Sequence, residues 1–478
     1  MKVLKDLSLL LMLFCINSLV ACSSDEEGSA DNPNIPTEFT PSQASTIYFS
    51  NGIDFGANAG EQEITFTSNK SWSVSSTVEW CRAVSDRGSA DDGSFRIVVD
   101  ENPSYESREG VLTLKVGELN NYITVRQGGA GSAKIHVAEA GTLPALLGND
   151  FEQITDLTLT GELNGTDFKF MEAEGLSYKL EKLNLKEARI VAGGEPYLVS
   201  IEDYYTETDK VTPYLFSGYG SLKELELPAS ITSIGDCGLS TLVGLTSLEI
   251  PESVDSIGTA AFGSCIKLER IELPEELDYL GDMVFANCSH LKQIELPRNL
   301  SYIGQGLFQY CRDLQNIEIP LSVDSIAMGA FGGCESLTKL VIPESVQYIG
   351  SSAWSECSSL TTLEYHTKVI PNVYSSGHII SEIIIGEEVE EIKSLAFSGY
   401  TELRTLTIPA TVKKMGNWIF GSAMESLHML SSTPPEMDYS YPDLGDVSQC
   451  TLYVPRGAKT RYESVGEPWT DFKAIIEE

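Results

Sequence analysis

Leu268-Glu269-Arg270-Ile271-Glu272-Leu273-Pro274, followed by Leu277, Leu280-Gly281, Phe285 and Cys288, decides the fold, because its pieces return every 23 residues. Pro228, Pro251, Pro274, Pro297, Pro320 and Pro343 stand at that spacing. His366 takes the next place, and after a three-residue deletion Gly386 and Pro409 resume it. Cys265, Cys288, Cys311, Cys334 and Cys357 keep the same period. So do Phe262, Phe285, Phe308, Phe331 and Trp354, with Phe397 and Phe420 in the shifted phase. Three residue types on one period mark a solenoid, whose coils bury their apolar faces against the coils above and below. Leu268, Ile271 and Leu273 predict a short strand with inward side chains, and Pro274, which lacks an N–H and fixes φ, ends it. Leu277 and Leu280 form a second apolar pair. Phe285 and Cys288, three apart, predict a short helical turn that closes the coil.

The unit resembles the BspA-like leucine-rich repeat. Ile342-Pro343-Glu344-Ser345-Val346-Gln347-Tyr348-Ile349-Gly350 follows that pattern almost letter for letter, and the resemblance covers residues 200 to 455. Residues 133 to 200 keep the leucine spacing (Leu157, Leu159; Leu180, Leu183, Leu185) but lose the proline, as a capping region would. Leu452-Tyr453-Val454-Pro455 recovers the strand motif before a polar tail. The resemblance implies a surface protein that adheres to host matrix proteins and other cells.

Upstream, period-2 alternation in Thr46-Ile47-Tyr48-Phe49, Glu63 to Thr67, Ser71 to Val74, Phe95 to Val99, Gly110 to Val116 and Asn121 to Val125 predicts six or seven short strands. That density suggests an immunoglobulin-like sandwich. Trp72-Ser73-Val74, Trp80-Cys81, Asn102, Arg108-Glu109-Gly110 and Val125-Arg126-Gln127-Gly128 resemble the BACON domain, named for carbohydrate binding. Tyr48, Tyr105 and Tyr122 are candidates for stacking on sugar rings, whereas Trp72 and Trp80 are expected in the core. The domain is equally readable as a spacer.

The N-terminus reads as an address. Lys2 and Lys5 precede an apolar run from Leu7 to Val20, too short to span a bilayer and suited to a signal peptide. Leu19-Val20-Ala21-Cys22 resembles the bacterial lipobox, which implies lipidation of Cys22. Ser23-Ser24-Asp25-Glu26-Glu27 and the Gly/Asn/Pro-rich stretch to Pro41 read as an acidic tether, resembling the surface-export signal of Bacteroidota lipoproteins. The expected location is the outer membrane, with exposure at the cell surface and membrane contact through the lipid anchor only.

The organisation is thus multidomain: an immunoglobulin-like all-β sandwich followed by a leucine-rich-repeat solenoid with a short parallel strand per coil. The divisions are a signal peptide over 1–21, lipidated Cys22 and flexible tether over 22–41, and BACON-like sandwich over 42–129. A linker with N-terminal capping or irregular repeats follows over 130–204, the repeats over 205–455, and a C-terminal tail or cap over 456–478.

A net charge of −37 argues against nucleic acid, whose backbone needs Lys and Arg stripes. Two residues before successive prolines stand Glu226, Glu249, Glu272, Glu295 and Glu318, then Val341 and Glu364. Stacked strands would bring these carboxylates about 5 Å apart. They read either as an acidic groove for a basic partner or divalent ions, or as a solvated face with ion pairs from Lys223, Arg270, Lys292 and Lys339. The cysteine column, replaced by Leu242, Tyr400 and Ala423 elsewhere, reads as apolar filling rather than a metal or disulfide ladder. His366 and His378 on the irregular coil are expected to be surface residues, and no catalytic motif stands out. No metal site, cofactor or enzymatic activity is expected. The function expected is non-catalytic recognition or adhesion through the solenoid. Its partners would be host extracellular-matrix or cell-surface proteins, or glycans such as mucin. The alternatives are a glycan-binding accessory lipoprotein of a polysaccharide-uptake system acting through the sandwich, and a structural stalk.

Overall fold

A computed structural model describes residues 39–90, 93–104, 107–147, 150–373, 379–437 and 442–478. Cys22 and the tether lie outside the described residues, as do Tyr105 and His378.

The sandwich comprises β1 (Phe39–Pro41), α1 (Gln43–Asn51), β2 (Ile53–Phe55), β3 (Gly60–Ser68) and β4 (Trp72–Ser76). β5 (Cys81–Val84), β6 (Arg87–Gly88), β7 (Ser94–Val99), β8 (Arg108–Val116) and β9 (Leu119–Gln127) complete it. One sheet runs β1-β3-β7-β5 and the other β2-β9-β8-β4-β6. Alternating inward residues fill the space between them: Ile64 and Phe66, Phe95 and Ile97, Leu112 and Leu114, Ile123 and Val125 are all buried. Trp72 is in this core, packed against Phe66 and Phe95.

One predicted strand is wrong. Thr46 to Phe49 lie in helix α1 rather than in a strand. Ser42 caps it by accepting the Ser45 N–H at 3.2 Å, and Gly52 at φ 82 ends it. Four alternating residues are too few to outweigh a serine and a glycine that bracket nine residues of helix.

Parallel pairing begins at Ser132. Strand Ser132–Val137 pairs with Asp156–Leu163, then Lys182–Asn184 and Glu224–Glu226 follow in the same sheet. This first row continues through Ser247–Glu249 and Arg270–Glu272, through Lys339–Ile342, Thr362–Tyr365 and Glu382–Ile385, and from Thr405–Ile408 to Ala474–Glu477. Residues 291–297 and 315–320 form no paired strand, although Gln315 N–H donates to Lys292 O at 3.2 Å and keeps the coils in step. A second row of two-residue strands runs alongside, including Ser233–Ile234, Ser256–Ile257, Tyr279–Leu280, Tyr302–Ile303, Ser325–Ile326 and Tyr348–Ile349.

The periodic residues build the interior. Phe262, Phe285, Phe308 and Phe331 are fully buried and stack face to face at 5.6 to 5.7 Å, tilted by 10° or less. The glycine that ends Ile-Gly is forced by close approach: a Cβ on Gly350 would stand 2.4 Å from Met328 N, and one on Gly281 2.8 Å from Thr259 N. Each coil also bends through left-handed residues, such as Cys237, Ala260 and Met283, and then Thr241, Ser264 and Asn287. The helical turn expected around Phe285 and Cys288 is instead a hydrogen-bonded turn between two such residues.

One apolar core runs through the solenoid from Val137 to Phe472. Helix Gly165–Ala173 is capped by Asn164, and buried Asp167 accepts from Gly141, Leu143 and Asn164 N–H at 2.7 to 3.0 Å. A hairpin of Gly193–Val199 and Asp203–Thr206 packs on that helix. At the other end Trp469 is buried edge-on against Tyr462, and Ala474–Glu477 pairs with Thr451–Val454.

Candidate functional site: the outward strand face

The first row turns alternate residues inward, so Leu225, Leu248 and Ile271 are buried while Glu226, Glu249 and Glu272 face out. Glu249 lies directly across from Glu272 in the parallel register, as Asn184 does from Glu226. Glu295 and Glu318 hold the corresponding, exposed places in the two coils without paired strands. Val341 and Glu364 continue the column on paired strands, followed by Ile384.

The basic residues near the column do not neutralise it evenly. Arg270 bonds Glu272 and Lys339 bonds Glu364 at 2.6 Å. Lys223 turns away to Glu181 at 2.8 Å, and Lys292 to Glu269 at 2.6 Å. Glu226 receives Asn184 at 2.6 Å and stands 3.9 Å from Lys186. Among the described residues Glu249, Glu295 and Glu318 have no ion pair. Glu249 thus stands beside a Glu272 that Arg270 engages and carries no cation of its own, which leaves it open to one brought from outside. An open groove of about 620 Å³ runs over this face, lined by Asp156, Lys182, Asn184, Glu226 and Glu249 among others. Among the described residues no cluster of three or more His, Cys, Asp or Glu could hold a metal ion.

The column ends on a tighter network. His366 Nε2 is 2.8 Å from Glu364 and its Nδ1 3.1 Å from Glu388. The Glu364 hydrogen bond, aided by Glu388, raises the His366 pKa; Lys339 and His366 together hold Glu364 below the usual carboxylate range. This network ties the coil before the phase break to the one after it.

Among the described residues the cysteines are free thiols. In the column from Cys265 to Cys357 each sulfur donates to a carbonyl 26 residues earlier: Cys288 to Phe262 O at 3.2 Å, Cys311 to Phe285 O at 3.1 Å, Cys357 to Phe331 O at 3.0 Å. Burial pushes the Cys265 thiol up to about 12 and Cys288 and Cys311 upward as well. Periodicity alone could not show the sulfur-to-carbonyl bond.

On the sandwich, the residues that carry the family resemblance are structural. Arg108 lies over the Trp80 ring at 4.4 Å and donates to Gln127 at 2.9 Å. Buried Gln127 donates to Ala57, Asn58 and Asp100 carbonyls, and buried Asn102 to Gly128 O at 2.9 Å. Of the candidate tyrosines, Tyr122 is exposed on β9, whereas Tyr48 is half-buried on α1 against the core. A cleft of about 490 Å³ between the sandwich and the first coils is lined by Glu109, Arg126, Lys134, Asp156 and Lys186. Burial raises the Asp156 pKa there against the pull of Lys182.

Residues 209–326 and 301–427 match the BspA type leucine rich repeat region, in six copies. The solenoid is a BspA-type leucine-rich repeat. Residues 70–128 match the BACON domain, described as a putative binding domain, N-terminal, so the chain joins a BACON domain to BspA-type repeats. Among solved structures it is similar to a leucine-rich repeat protein from Bacteroides ovatus ATCC 8483, with 21% identity and a TM-score of 0.44, over 76% of this chain and 90% of that one. It is also similar to a leucine rich cell surface protein from Faecalibacterium prausnitzii A2-165, at 19% identity and TM-score 0.25, over 52% and 83%. A leucine-rich repeat protein of T. pallidum gives 22% and 0.25, over 56% and 89%. No curated protein matches the chain. Among the described residues no helix is long and apolar enough to cross a membrane.

Proposed function

We propose that this chain is a non-catalytic recognition protein, lipid-anchored through Cys22 at the cell surface, that holds a basic macromolecular partner against its outward strand face. The observation that carries the reading is the carboxylate column, in which Glu249 stands in register with Glu272 without a cation of its own. A solenoid tolerates any outward residue at these places, because the core is complete without them. Matrix and cell-surface proteins with basic stretches have the complementary charge. The sandwich then serves as a spacer between anchor and solenoid.

The test is capture of the chain, as wild type and as Glu272→Lys/Glu295→Lys, on immobilised matrix proteins and mucin. The reading expects capture by at least one protein, weakened at least tenfold by the double reversal. Capture that ignores the reversal refutes it. Glycan binding lost on Tyr122→Ala would move the activity to the sandwich, and silence on every surface would favour a structural stalk.

A further inference from the structure

The second strand row carries a feature that neither the fold nor the acidic column uses. Tyr279, Tyr302 and Tyr348 occupy the same place in three coils and are 55%, 39% and 61% exposed. The residues after them, Leu280, Ile303 and Ile349, are buried and already fill the interior. Ser256 and Ser325 hold the equivalent place in coils of the same row, in register with Tyr279 and with Tyr302 and Tyr348. The fold therefore does not require an aromatic ring there. We infer that this tyrosine ladder is a stacking platform for a neutral, extended polysaccharide.

The spacing supports that class of ligand. Stacked phenylalanines advance 5.7 Å per coil, so Tyr279 and Tyr302 lie about one such step apart and Tyr348 two steps further. A regular polymer of pyranose units meets a regular row of rings repeatedly, whereas a globular protein surface has no matching repeat. The apolar face of a pyranose packs on an aromatic ring, and its hydroxyls need acceptors at the edge. Asp255, Asp278 and Asp324, all exposed, each precede a row position and supply them. Ser256 and Ser325 hydroxyls hold the first and last of these carboxylates at 2.8 and 2.6 Å. Burial and Asp282 raise the Tyr302 pKa, with a further push from Tyr279 and Tyr348. The chain's charge of −37 disfavours uronic or sulfated polymers.

Affinity electrophoresis of the full chain tests the proposal, with gels containing hydroxyethyl cellulose, galactomannan, starch or polygalacturonate. At least one neutral polymer should retard the chain, and polygalacturonate should not. Tyr348→Ala should weaken retardation roughly two- to tenfold, and Tyr279→Ala/Tyr302→Ala/Tyr348→Ala should abolish it, while Tyr348→Phe keeps it. Should the triple variant melt early, the single Tyr348→Ala and Tyr348→Phe pair decides. Glu249→Lys should leave retardation unchanged, which separates this surface from the acidic column. Migration unaffected by every neutral polymer overturns the inference, as does retardation that survives the triple change or depends instead on Tyr122.

Discussion

Glu249→Lys is expected to stabilise the chain and to weaken partner binding, two effects of opposite sign from one substitution. Parallel strands are about 4.8 Å apart, so Glu249 and Glu272 repel by at most about 0.9 kcal/mol in water before screening, less the share that Arg270 already offsets at Glu272. At physiological salt the Debye length of about 8 Å roughly halves that figure. Reversal turns the repulsion into an attraction of similar size, and Glu226 on the other side adds a smaller share because Asn184 and Lys186 already engage it. After the side-chain entropy of a surface pair, the net gain is below about 1 kcal/mol. That corresponds to a rise of no more than about 2 °C in a chain of this size. Scanning calorimetry at about 0.01 M and about 1 M salt should show the rise growing at low salt, where screening is weak. A variant that melts lower than wild type at low salt, or whose shift ignores salt, would mean that the column is already neutralised, contrary to this expectation.

Other outcomes follow from the same structure. Phe285→Ala removes a ring stacked on both sides and should cost about 3 to 5 kcal/mol in urea unfolding, whereas exposed Tyr348→Ala should cost less than about 0.5 kcal/mol. In the native chain a thiol reagent such as DTNB should leave Cys265, Cys288 and Cys311 unmodified at neutral pH and reach half-buried Cys237 first; rapid modification of the column would contradict its burial. The His366 pKa is raised, so its contribution is full below about 6.5, its unfolded value, and fades as pH rises through the folded value; Glu364 and Glu388 are lowered, so theirs are present above about 4.5 and fade as pH falls. Amide exchange at residues 363 to 370 should therefore be slowest between those limits, and His366→Phe should remove the loss on the alkaline side. Metabolic labelling with palmitate should mark the wild type and not Cys22→Ala.

Much of the solenoid was legible because its interior repeats. Pro, Phe and Cys at one spacing point to the strand ends, the ring stack and the turn, and the structure bears this out except at Pro297 and Pro320, whose segments form no paired strand. What was not legible depends on backbone angles rather than residue type. The left-handed positions hold Cys237, Ala260, Met283, Ser264 and Asn287, a set with no common chemistry. Tyr279, Tyr302 and Tyr348 were hidden differently. Serines interrupt their column, so their shared face emerges only from the pairing of Ser256 with Tyr279 and of Ser325 with Tyr348. The glutamate column could be read from the sequence, but the destinations of its nearby cations could not. Lys223 and Lys292 reach Glu181 and Glu269, and only the register shows that this leaves Glu249 bare. In the sandwich, helix α1 was missed because capping residues settle a short segment that alternation cannot.

Carboxylate footprinting locates the partner on the chain. The chain would be labelled with a carbodiimide and an amine, alone and with the matrix protein that captures it, and read by peptide mass spectrometry. Protection of Glu249, Glu272 and Glu295, with unchanged labelling at Glu109 and Glu61 on the sandwich, is the predicted result. Unchanged labelling along the column, or protection confined to the sandwich, would contradict recognition by the strand face.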